Sequence, residues 1–286
     1  MEIKPAQVKE LRERTGVGMM DCKRALVEAG GDIDAAAEFL RKAGQAKADK
    51  KSGRIAAEGR IIVARSANCY AIIEINSETD FVANDENFLA FAGTVGTALI
   101  ADKPADVAAL MALAVDGTTL EEARTGLVAK IGENISVRRF ELVESSAKVG
   151  SYVHMNRIGV LVEVEGGTDE LARDVAMQIA ATSPQFISIE NVPEGERARE
   201  REILSAQAEQ EGKPAEIVVK MVEGRLRKHF DEITLLGQPF VKNPDQKVRD
   251  LLKDAGASVT RFVRFAVGEG IEKKQENFAD EVAALQ

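Results

Sequence analysis

The feature that most constrains the fold of this chain is an internal repeat that begins after residue 60. In each copy, apolar residues first alternate with a period of two and then recur at helical spacing. The first copy opens with RIIVARS and CYAIIEIN and closes with NISVRRFELV; the second opens with GSYVHM and RIGVLVEV and closes with ASVTRFVRFAV. Two such ββα…β copies predict two antiparallel sheets covered by helices, which is an α+β fold.

The residues before the repeat predict a bundle of three short helices at 1–45. Gly16 fits the end of the first helix, Asp32 fits the N-cap of the third, and Gly44 fits the end of the third. Residues 46–60 are rich in Lys, Ala and Gly, which predicts a linker. Its lysines fit either solvated charge between two domains or an electrostatic docking site, and the sequence does not decide between them.

Inside the second copy, residues 193–236 form a long excursion with strong helical character. A Gly-Lys-Pro sequence interrupts it, so we expect an inserted helical hairpin whose two arms pack against each other. The end of the chain, residues 270–286, predicts an amphipathic helix. Its apolar stripe consists of Phe278, Val282 and Leu285.

These patterns together predict a modular chain. Its parts are a bundle at 1–45, a linker at 46–60, a first core subdomain at 61–143, a second core subdomain at 144–192 and 237–269, the inserted hairpin at 193–236 and a terminal helix at 270–286.

Composition removes several classes of function. A net charge of −9, 5% aromatic residues and no tryptophan argue against nucleic acid as the main ligand. The two cysteines, Cys22 and Cys69, form no C-x-x-C pair, so neither a disulfide framework nor a cysteine zinc site is indicated. No apolar run approaches the roughly 18 residues of a membrane span and no secretion signal opens the sequence, so we expect a cytoplasmic protein that is not inserted in a membrane.

The sequence also lacks recognisable enzyme motifs. No phosphate-binding G-x-x-x-x-G-K-[ST] loop occurs, so direct binding of a nucleotide is unsupported. The two histidines, His154 and His229, are far apart and outside any metalloprotease pattern. We therefore expect no catalytic residues, no metal site and no cofactor. An ordinary α+β enzyme stays open only if its site has no recognisable signature.

One polar loop raises a sharper question. The stretch SETDFVANDENF, residues 77–88, places Phe81 among carboxylates and amides. Such loops usually lie at the surface, although burying a phenylalanine side chain is worth roughly 1.5–3 kcal/mol. From the residues alone, the ring either folds back into its own core or is received by another molecule.

Six fragments, in order along the chain, resemble one known family. They are VKELRERTGVGMMDCKRAL, NSETDFVANDENF, KIGENISVRRF, YVHMNRIGVLVEV, GKPAEIVVKMVEGR and GQPFVKNP. Together they are similar to bacterial translation elongation factor Ts over essentially the whole chain. The resemblance implies a guanine-nucleotide exchange factor that binds elongation factor Tu, GDP-bound or nucleotide-free, and expels its GDP without covalent chemistry.

The resemblance also implies particular modules. The bundle would be similar to ubiquitin-associated domains, and the hairpin to a coiled coil that dimerises some members, which leaves a homodimer or a heterotetramer with the partner open. A protein-binding adaptor built on the bundle is the alternative function, since such bundles occur in adaptors unrelated to translation.

Finally, the resemblance implies which residues meet the partner. The family's T-D-F-V-A motif falls on Thr79, Asp80, Phe81, Val82 and Ala83. It implies that Phe81 is a wedge for an apolar pocket near the partner's nucleotide and that Asp80 approaches the partner's Mg²⁺. Further implied contacts with the partner's nucleotide domain are Val8, Leu11, Met19, Met20, Lys23, Ile131 and Gly132. Those with a second partner domain are His154 and Val241.

Overall fold

The computed structural model describes residues 3–211 and 214–272 of the chain, which mix helices with sheets in an α+β fold. The helices are α1 (Pro5–Thr15), α2 (Met19–Glu28), α3 (Ile33–Lys51), α4 (Asp80–Ala83), α5 (Glu86–Asp102), α6 (Val107–Ala112), α7 (Leu120–Ile131), α8 (Asp169–Thr182), α9 (Glu194–Glu209), α10 (Ala215–Ile233) and α11 (Val248–Asp254). Short 3₁₀ turns lie at Ile189–Asn191 and Leu235–Gly237.

The strands form two larger and two smaller sheets among the described residues. They are β1 (Glu58–Ser66), β2 (Cys69–Ser77), β3 (Ala114–Val115), β4 (Thr118–Thr119), β5 (Ile135–Glu144), β6 (Lys148–His154), β7 (Ile158–Glu165), β8 (Pro239–Phe240), β9 (Asn243–Lys247) and β10 (Ser258–Ala266). The three-stranded sheets have the orders β1-β2-β5 and β10-β7-β6, so the second strand of each hairpin is central in its sheet. The pairs β3-β4 and β8-β9 are separate two-stranded sheets.

The described residues fall into two compact units. The first holds residues 3–66, 71–142 and 265–272, and the second holds residues 67–70 and 143–264. The first unit therefore includes the N-terminal bundle, whose small core is formed by Val8, Leu11, Cys22, Ala25, Leu26, Ala36 and Leu40. Each unit has its own buried core and is described by itself.

The prediction that the third helix stops at Gly44 and gives way to a linker at residue 46 is wrong. Helix α3 continues to Lys51, and Ala48 is buried in the main core of the first unit. Alanine and lysine are strong helix formers, and a Cβ atom on Gly44 would lie 3.4 Å from that of Ala129 in α7, so the glycine permits close packing of helices. Only residues 52–57 separate α3 from β1.

The first sheet organises the main core of the first unit. Every residue of β2 is buried. Ile73 and Ile75 from this strand cluster with Phe88 and Val95 of α5 and with Val128 of α7. Each such buried side chain stabilises the fold by roughly 1.5–3 kcal/mol, so the sheet is a rigid base for the segment that follows β2.

A charged residue, Glu74, also lies fully buried in β2. Its carboxylate accepts hydrogen bonds from Arg138 at 3.0 Å, from Arg139 at 2.6 Å, from Asn76 at 3.1 Å and from the backbone N–H of Gly268 at 2.8 Å. Burial raises the pKa of Glu74, but these donors outweigh burial and hold its pKa below the ordinary value. The network fixes the segment after β10 to the first sheet.

The second unit is built on the hairpin of β6 and β7. The strands pair antiparallel from Lys148 opposite Val164 to His154 opposite Ile158. Helix α8 packs on this hairpin and contributes much of the apolar cluster. The buried cluster consists of Val160, Val162, Val164, Leu171, Ala172, Val175, Ala176, Ile179, Ala180, Leu235, Phe240, Val248 and Leu252.

The two arms of the hairpin, α9 and α10, also belong to the second unit. Their shared apolar cluster is formed by Val192, Ala208, Val222, Leu226 and Phe230. Arg225 forms an ion pair with Glu211 at 2.5 Å, just after α9, and His229 Nδ1 lies 3.9 Å from Glu200, earlier in α9, so the arms run antiparallel. The arms pack against each other, as the sequence predicts.

Residues 273–286 hold most of the predicted C-terminal helix, including its apolar stripe of Phe278, Val282 and Leu285, and lie outside the described residues. The first residues of that prediction, 270–272, are not helical. None of the helices in the described ranges is both long enough and apolar enough to cross a bilayer.

Candidate functional site

The candidate site begins at the turn that leaves the central strand β2. The hydroxyl oxygen of Thr79 accepts a hydrogen bond from the N–H of Val82 at 3.4 Å and so caps the four-residue helix α4. Two residues after the end of α4, Asp85 caps α5 by accepting hydrogen bonds from the N–H groups of Asn87 and Phe88 at 2.8 and 3.3 Å. Hydrogen bonds from Asn87 are the largest influence on Asp85 and lower its pKa. Two helix starts in succession leave α4 only one turn long.

Within this turn, neighbouring residues have opposite environments. Phe81 is 84% exposed and Asp80 is exposed beside it, whereas Val82 and Ala83 are buried at 8% and 3%. One turn of helix points successive side chains in different directions, so the buried pair anchors the turn while Asp80 and Phe81 face solvent. Of the two environments considered for the ring, the structure shows the exposed one.

A carboxylate distant in sequence holds the start of the turn. Glu133 accepts a hydrogen bond from the N–H of Thr79 at 2.9 Å through one oxygen and from the hydroxyl of Thr79 at 2.8 Å through the other. Asn84 secures the other end, because its side-chain amide donates to the carbonyl of Asp80 at 2.8 Å. Glu133 lies in the fragment KIGENISVRRF, directly after the glycine that ends α7, but nothing in the sequence points to its contact with Thr79.

The bundle residues expected at the site divide in the same way. Val8 and Leu11 are buried in the core of the bundle, where a partner cannot reach them without unpacking it. Met19 and Met20, at the start of α2, are 56% and 74% exposed, and Lys23 is exposed one turn later. Methionine side chains are apolar and adaptable, so two adjacent exposed methionines are suited to contact with another molecule.

The C-terminal end of α7 brings these first-unit residues together. Lys130 donates to the side chain of Asn87 at 2.6 Å, and a Cβ atom on Gly16 would lie 3.6 Å from the same Lys130 nitrogen. Lys51, at the end of α3, donates to the carbonyl of Gly132. Ile131 and Gly132 are themselves half-buried. The α1–α2 loop, the end of α7 and the Phe81 turn therefore lie on neighbouring parts of the first unit.

The remaining two candidates, His154 and Val241, lie in the second unit. His154 is exposed at the end of β6, and its Nδ1 is 3.1 Å from the hydroxyl of Tyr152. Val241 is 41% exposed, and its N–H donates to the side chain of Gln178 at 2.8 Å. Next to Val241, Lys242 pairs with Asp174 at 2.5 Å, so its ammonium group is directed toward this chain's own carboxylate.

The chemistry available at the Phe81 turn is that of binding. In residues 3–211 and 214–272, no group of three or more His, Cys, Asp or Glu side chains is arranged to hold a metal ion. An exposed ring next to an exposed carboxylate, both on a backbone fixed at two ends, offers one apolar and one charged contact to another molecule.

Comparisons with known proteins agree with one another. The family model described as Elongation factor TS matches residues 78–269. Elongation factor Ts of Thioalkalivibrio sulfidiphilus (strain HL-EbGR7) is 58% identical to the chain over 288 residues, covering 99% of this chain and 98% of that protein. Elongation factor Ts of Halorhodospira halophila (strain DSM 244 / SL1) is 56% identical over 286 residues, with coverage of 99% and 98%. Elongation factor Ts of Legionella pneumophila (strain Paris) is 52% identical over 285 residues, again with coverage of 99% and 98%.

Proposed function

The chain belongs to the elongation factor Ts family, and from that premise we propose that it is a guanine-nucleotide exchange factor for elongation factor Tu. In this role it promotes the release of GDP so that GTP can bind. The observation that carries the proposal is the 84% exposure of Phe81 on a turn whose backbone is held at both ends. An aromatic ring in that position contributes little to its own fold and is available to a partner.

The proposed mechanism is a wedge combined with a charge. Phe81 enters an apolar pocket in the nucleotide-binding domain of the partner, and Asp80 approaches the bound Mg²⁺. GDP in such domains is held by backbone amides, a lysine and a Mg²⁺ ion that bridges phosphate oxygens. Displacing the metal and the phosphate-binding backbone removes the strongest of these attractions. Val82 and Ala83 keep the turn in place, and Thr79 caps it.

Linkage explains why no chemical step is required of this chain. If binding of this chain lowers the affinity of elongation factor Tu for GDP, then bound GDP lowers the affinity of elongation factor Tu for this chain by the same ratio. GTP in excess then completes the cycle by mass action. We therefore propose that the chain is not an enzyme, binds no nucleotide itself and acts in the cytoplasm, where its partner works.

The other contacts are assigned by their exposure. Met19, Met20 and Lys23 are proposed to touch the nucleotide domain beside the Phe81 turn, with Ile131 and Gly132 at the edge of the same surface. Val8 and Leu11 support this contact from inside the ubiquitin-associated-like bundle. His154 and Val241 are proposed to meet a second partner domain. Helices α9 and α10 are proposed to be a coiled-coil insertion within the second copy of a duplicated core.

The test is the release of a fluorescent GDP from elongation factor Tu, followed with and without the full chain. We expect a concentration-dependent acceleration that excess unlabelled GDP alone does not produce. A release rate that stays at its intrinsic value at every concentration of the chain would refute the proposed function. Phe39→Ala is a matched control for Phe81→Ala, because Phe39 is also exposed, at 40%, and lies outside the proposed contacts. It should accelerate GDP release as the wild type does.

A further inference from the structure

Helix α4 is too short to set its own direction. It has four residues, and an isolated single turn of helix is unstable because nucleation costs more than one hydrogen bond returns. The direction in which Asp80 and Phe81 project therefore depends on contacts from elsewhere in the first unit.

The strongest of those contacts is the pair of bonds between Glu133 and Thr79, which are 54 residues apart. The hydroxyl of Thr79 donates its proton to Glu133 and accepts the N–H of Val82 at the same time. An aspartate cap would accept from Val82 but would repel the carboxylate of Glu133. The arrangement therefore needs a hydroxyl at position 79 and two carboxylate oxygens at position 133.

The neighbouring residues reinforce this arrangement from both sides. Glu78 accepts the N–H of Asn134 at 2.6 Å, so consecutive residues of the turn and of the loop after α7 are bonded in pairs. The side-chain amide of Asn134 donates to the carbonyl of Arg54 at 2.8 Å, just beyond α3. Gly132, with a φ of +93°, reverses the chain after α7 so that the next two residues face the turn.

We propose that Glu133 is a positioning residue for nucleotide exchange: its carboxylate clamps Thr79 and thereby fixes the direction in which Phe81 and Asp80 meet the partner. This proposal rests on the proposed function. Glu133 itself is half-buried, and in this proposal it acts through Thr79 and not by contact with the partner. Loss of the Glu133 carboxylate should slow the step in which the Phe81 ring enters the pocket. It should leave the initial docking through Met19 and Met20 unchanged.

The second unit provides a matched control for the cap. Thr168 caps α8 through the N–H of Leu171 at 3.1 Å, as Thr79 caps α4. Within the described ranges, no carboxylate holds the hydroxyl of Thr168. Thr168→Val therefore removes a cap alone. Thr79→Val removes a cap together with the hydroxyl bond of the clamp, and keeps the bond from its backbone N–H.

The experiment measures the maximal rate of GDP release and the half-saturating concentration of the full chain. Because hydrogen bonds to charged groups are the stronger class, Glu133→Gln and Thr79→Val should each lower the maximal rate about tenfold while the half-saturating concentration changes less than about twofold. Thr79→Ser, which keeps the hydroxyl, should lose much less of the maximal rate than Thr79→Val. Glu121→Gln changes a half-exposed carboxylate in α7 that pairs with the largely buried Arg124. This variant and Thr168→Val should leave the maximal rate at its wild-type value.

The double variant Glu133→Gln with Thr79→Val decides whether the two residues act as one device. A shared clamp predicts that the double variant is no slower than the slower single variant, within about twofold. A double variant whose maximal rate is lowered by the product of the two single-variant factors would overturn the proposal. So would a Thr168→Val loss equal to that of Thr79→Val, or a rise in half-saturating concentration with an unchanged maximal rate.

A second measurement keeps this test separate from the proposed function. Amide hydrogen exchange on the free protein should become faster at Val82 and Asn84 in Glu133→Gln and stay unchanged at Leu171. If the wild-type chain fails to accelerate GDP release, the proposed function fails and this exchange pattern alone decides the clamp. Unchanged protection at Val82 and Asn84 would then overturn it.

Discussion

The turn after β2 and the turn after β7 start alike and continue differently. Both follow the central strand of a three-stranded sheet, and both begin with a threonine cap followed by aspartate, at Thr79 and at Thr168. In both turns the third helical residue, Val82 or Leu171, is buried. The difference between the two units therefore lies in what the chain exposes and in how far the helix runs.

The second helical residue carries that difference. It is Glu170 in the second unit, exposed in the first turn of the 14-residue α8, where a carboxylate is favoured by the helix dipole. In the first unit it is Phe81, exposed on a helix of four residues. The same start thus serves packing in one unit and presentation of a ring in the other, which supports a role for Phe81 outside its own fold.

The central strands β2 and β7 also differ at one matched position. A substitution there should give the largest change in the free energy of unfolding. Glu74 in β2 is fully buried among four donors, whereas Glu163, at the same distance before the threonine cap, is half-buried in β7. Glu74→Gln leaves Arg138 and Arg139 without their buried charge and should lower the free energy of unfolding by about 3 kcal/mol. Glu163→Gln should change it by less than about 0.5 kcal/mol.

Urea denaturation of both variants, followed by circular dichroism, checks this pair. Equal losses for the two variants would mean that the Glu74 network does not distinguish the first sheet from the second.

The contrast between Glu74 and Glu163 can also be sharpened by a change of pH, because the stability contributed by Glu74 should depend on pH. The change in stability expected from this dependence is smaller than the loss in Glu74→Gln. The pKa of Glu74 is lower in the folded chain than its ordinary value of 4.5, so its contribution is fully present above that value. The contribution is lost as the pH falls through the lower pKa of the folded state. The gap in stability between the wild type and Glu74→Gln should therefore be constant near neutral pH and shrink in acid.

Denaturation curves at a series of pH values measure that gap, with Glu163→Gln as the control. A gap that widens as the pH falls would contradict the assigned direction of the pKa.

Substitutions in the turns of the two β-hairpins should give the smallest change in the free energy of unfolding. In the turn between β6 and β7, Met155 and Asn156 adopt φ values of +47° and +59°, whereas the turn between β1 and β2 has Ala67 at +49°. Met155 is 78% exposed and gains no packing in return for this left-handed backbone. Met155→Gly should raise the free energy of unfolding by about 0.5 kcal/mol, since glycine removes the strain but loses more entropy on folding.

Thermal denaturation of Met155→Gly beside Ala67→Gly measures this effect. A loss of stability in Met155→Gly would show that its side chain supports the turn.

The sequence predicted the elements better than the contacts between them. Alternating apolar residues predicted the strands of both sheets, and the Gly-Lys-Pro break predicted the two arms that became α9 and α10. The linker prediction failed because Gly44 resembles a helix end locally, whereas its role is to let α3 pack closely against Ala129. A contact across 85 residues has no local signature.

The candidate site shows the same limit. The motif identified the turn, but Val82 and Ala83 face inward and Asp80 and Phe81 outward, a division that depends on one turn of helix ending at Asn84. The clamp from Glu133 could not be anticipated, because no pattern in the sequence brings position 133 to position 79. Likewise, the burial of Val8 and Leu11 follows from the packing of three helices and not from their shared helical face alone.

The central claim is that Phe81 acts on a partner and not on its own core, and Phe81→Ala tests it most directly. A core phenylalanine truncated to alanine costs roughly 3–5 kcal/mol of folding free energy, whereas an exposed ring should cost less than about 0.5 kcal/mol. One preparation of the variant should be measured twice, by urea denaturation and by release of fluorescent GDP from elongation factor Tu. We predict an unchanged unfolding curve together with a markedly slower catalysed release. A destabilised protein whose exchange activity falls only in proportion to its folded fraction would contradict the account.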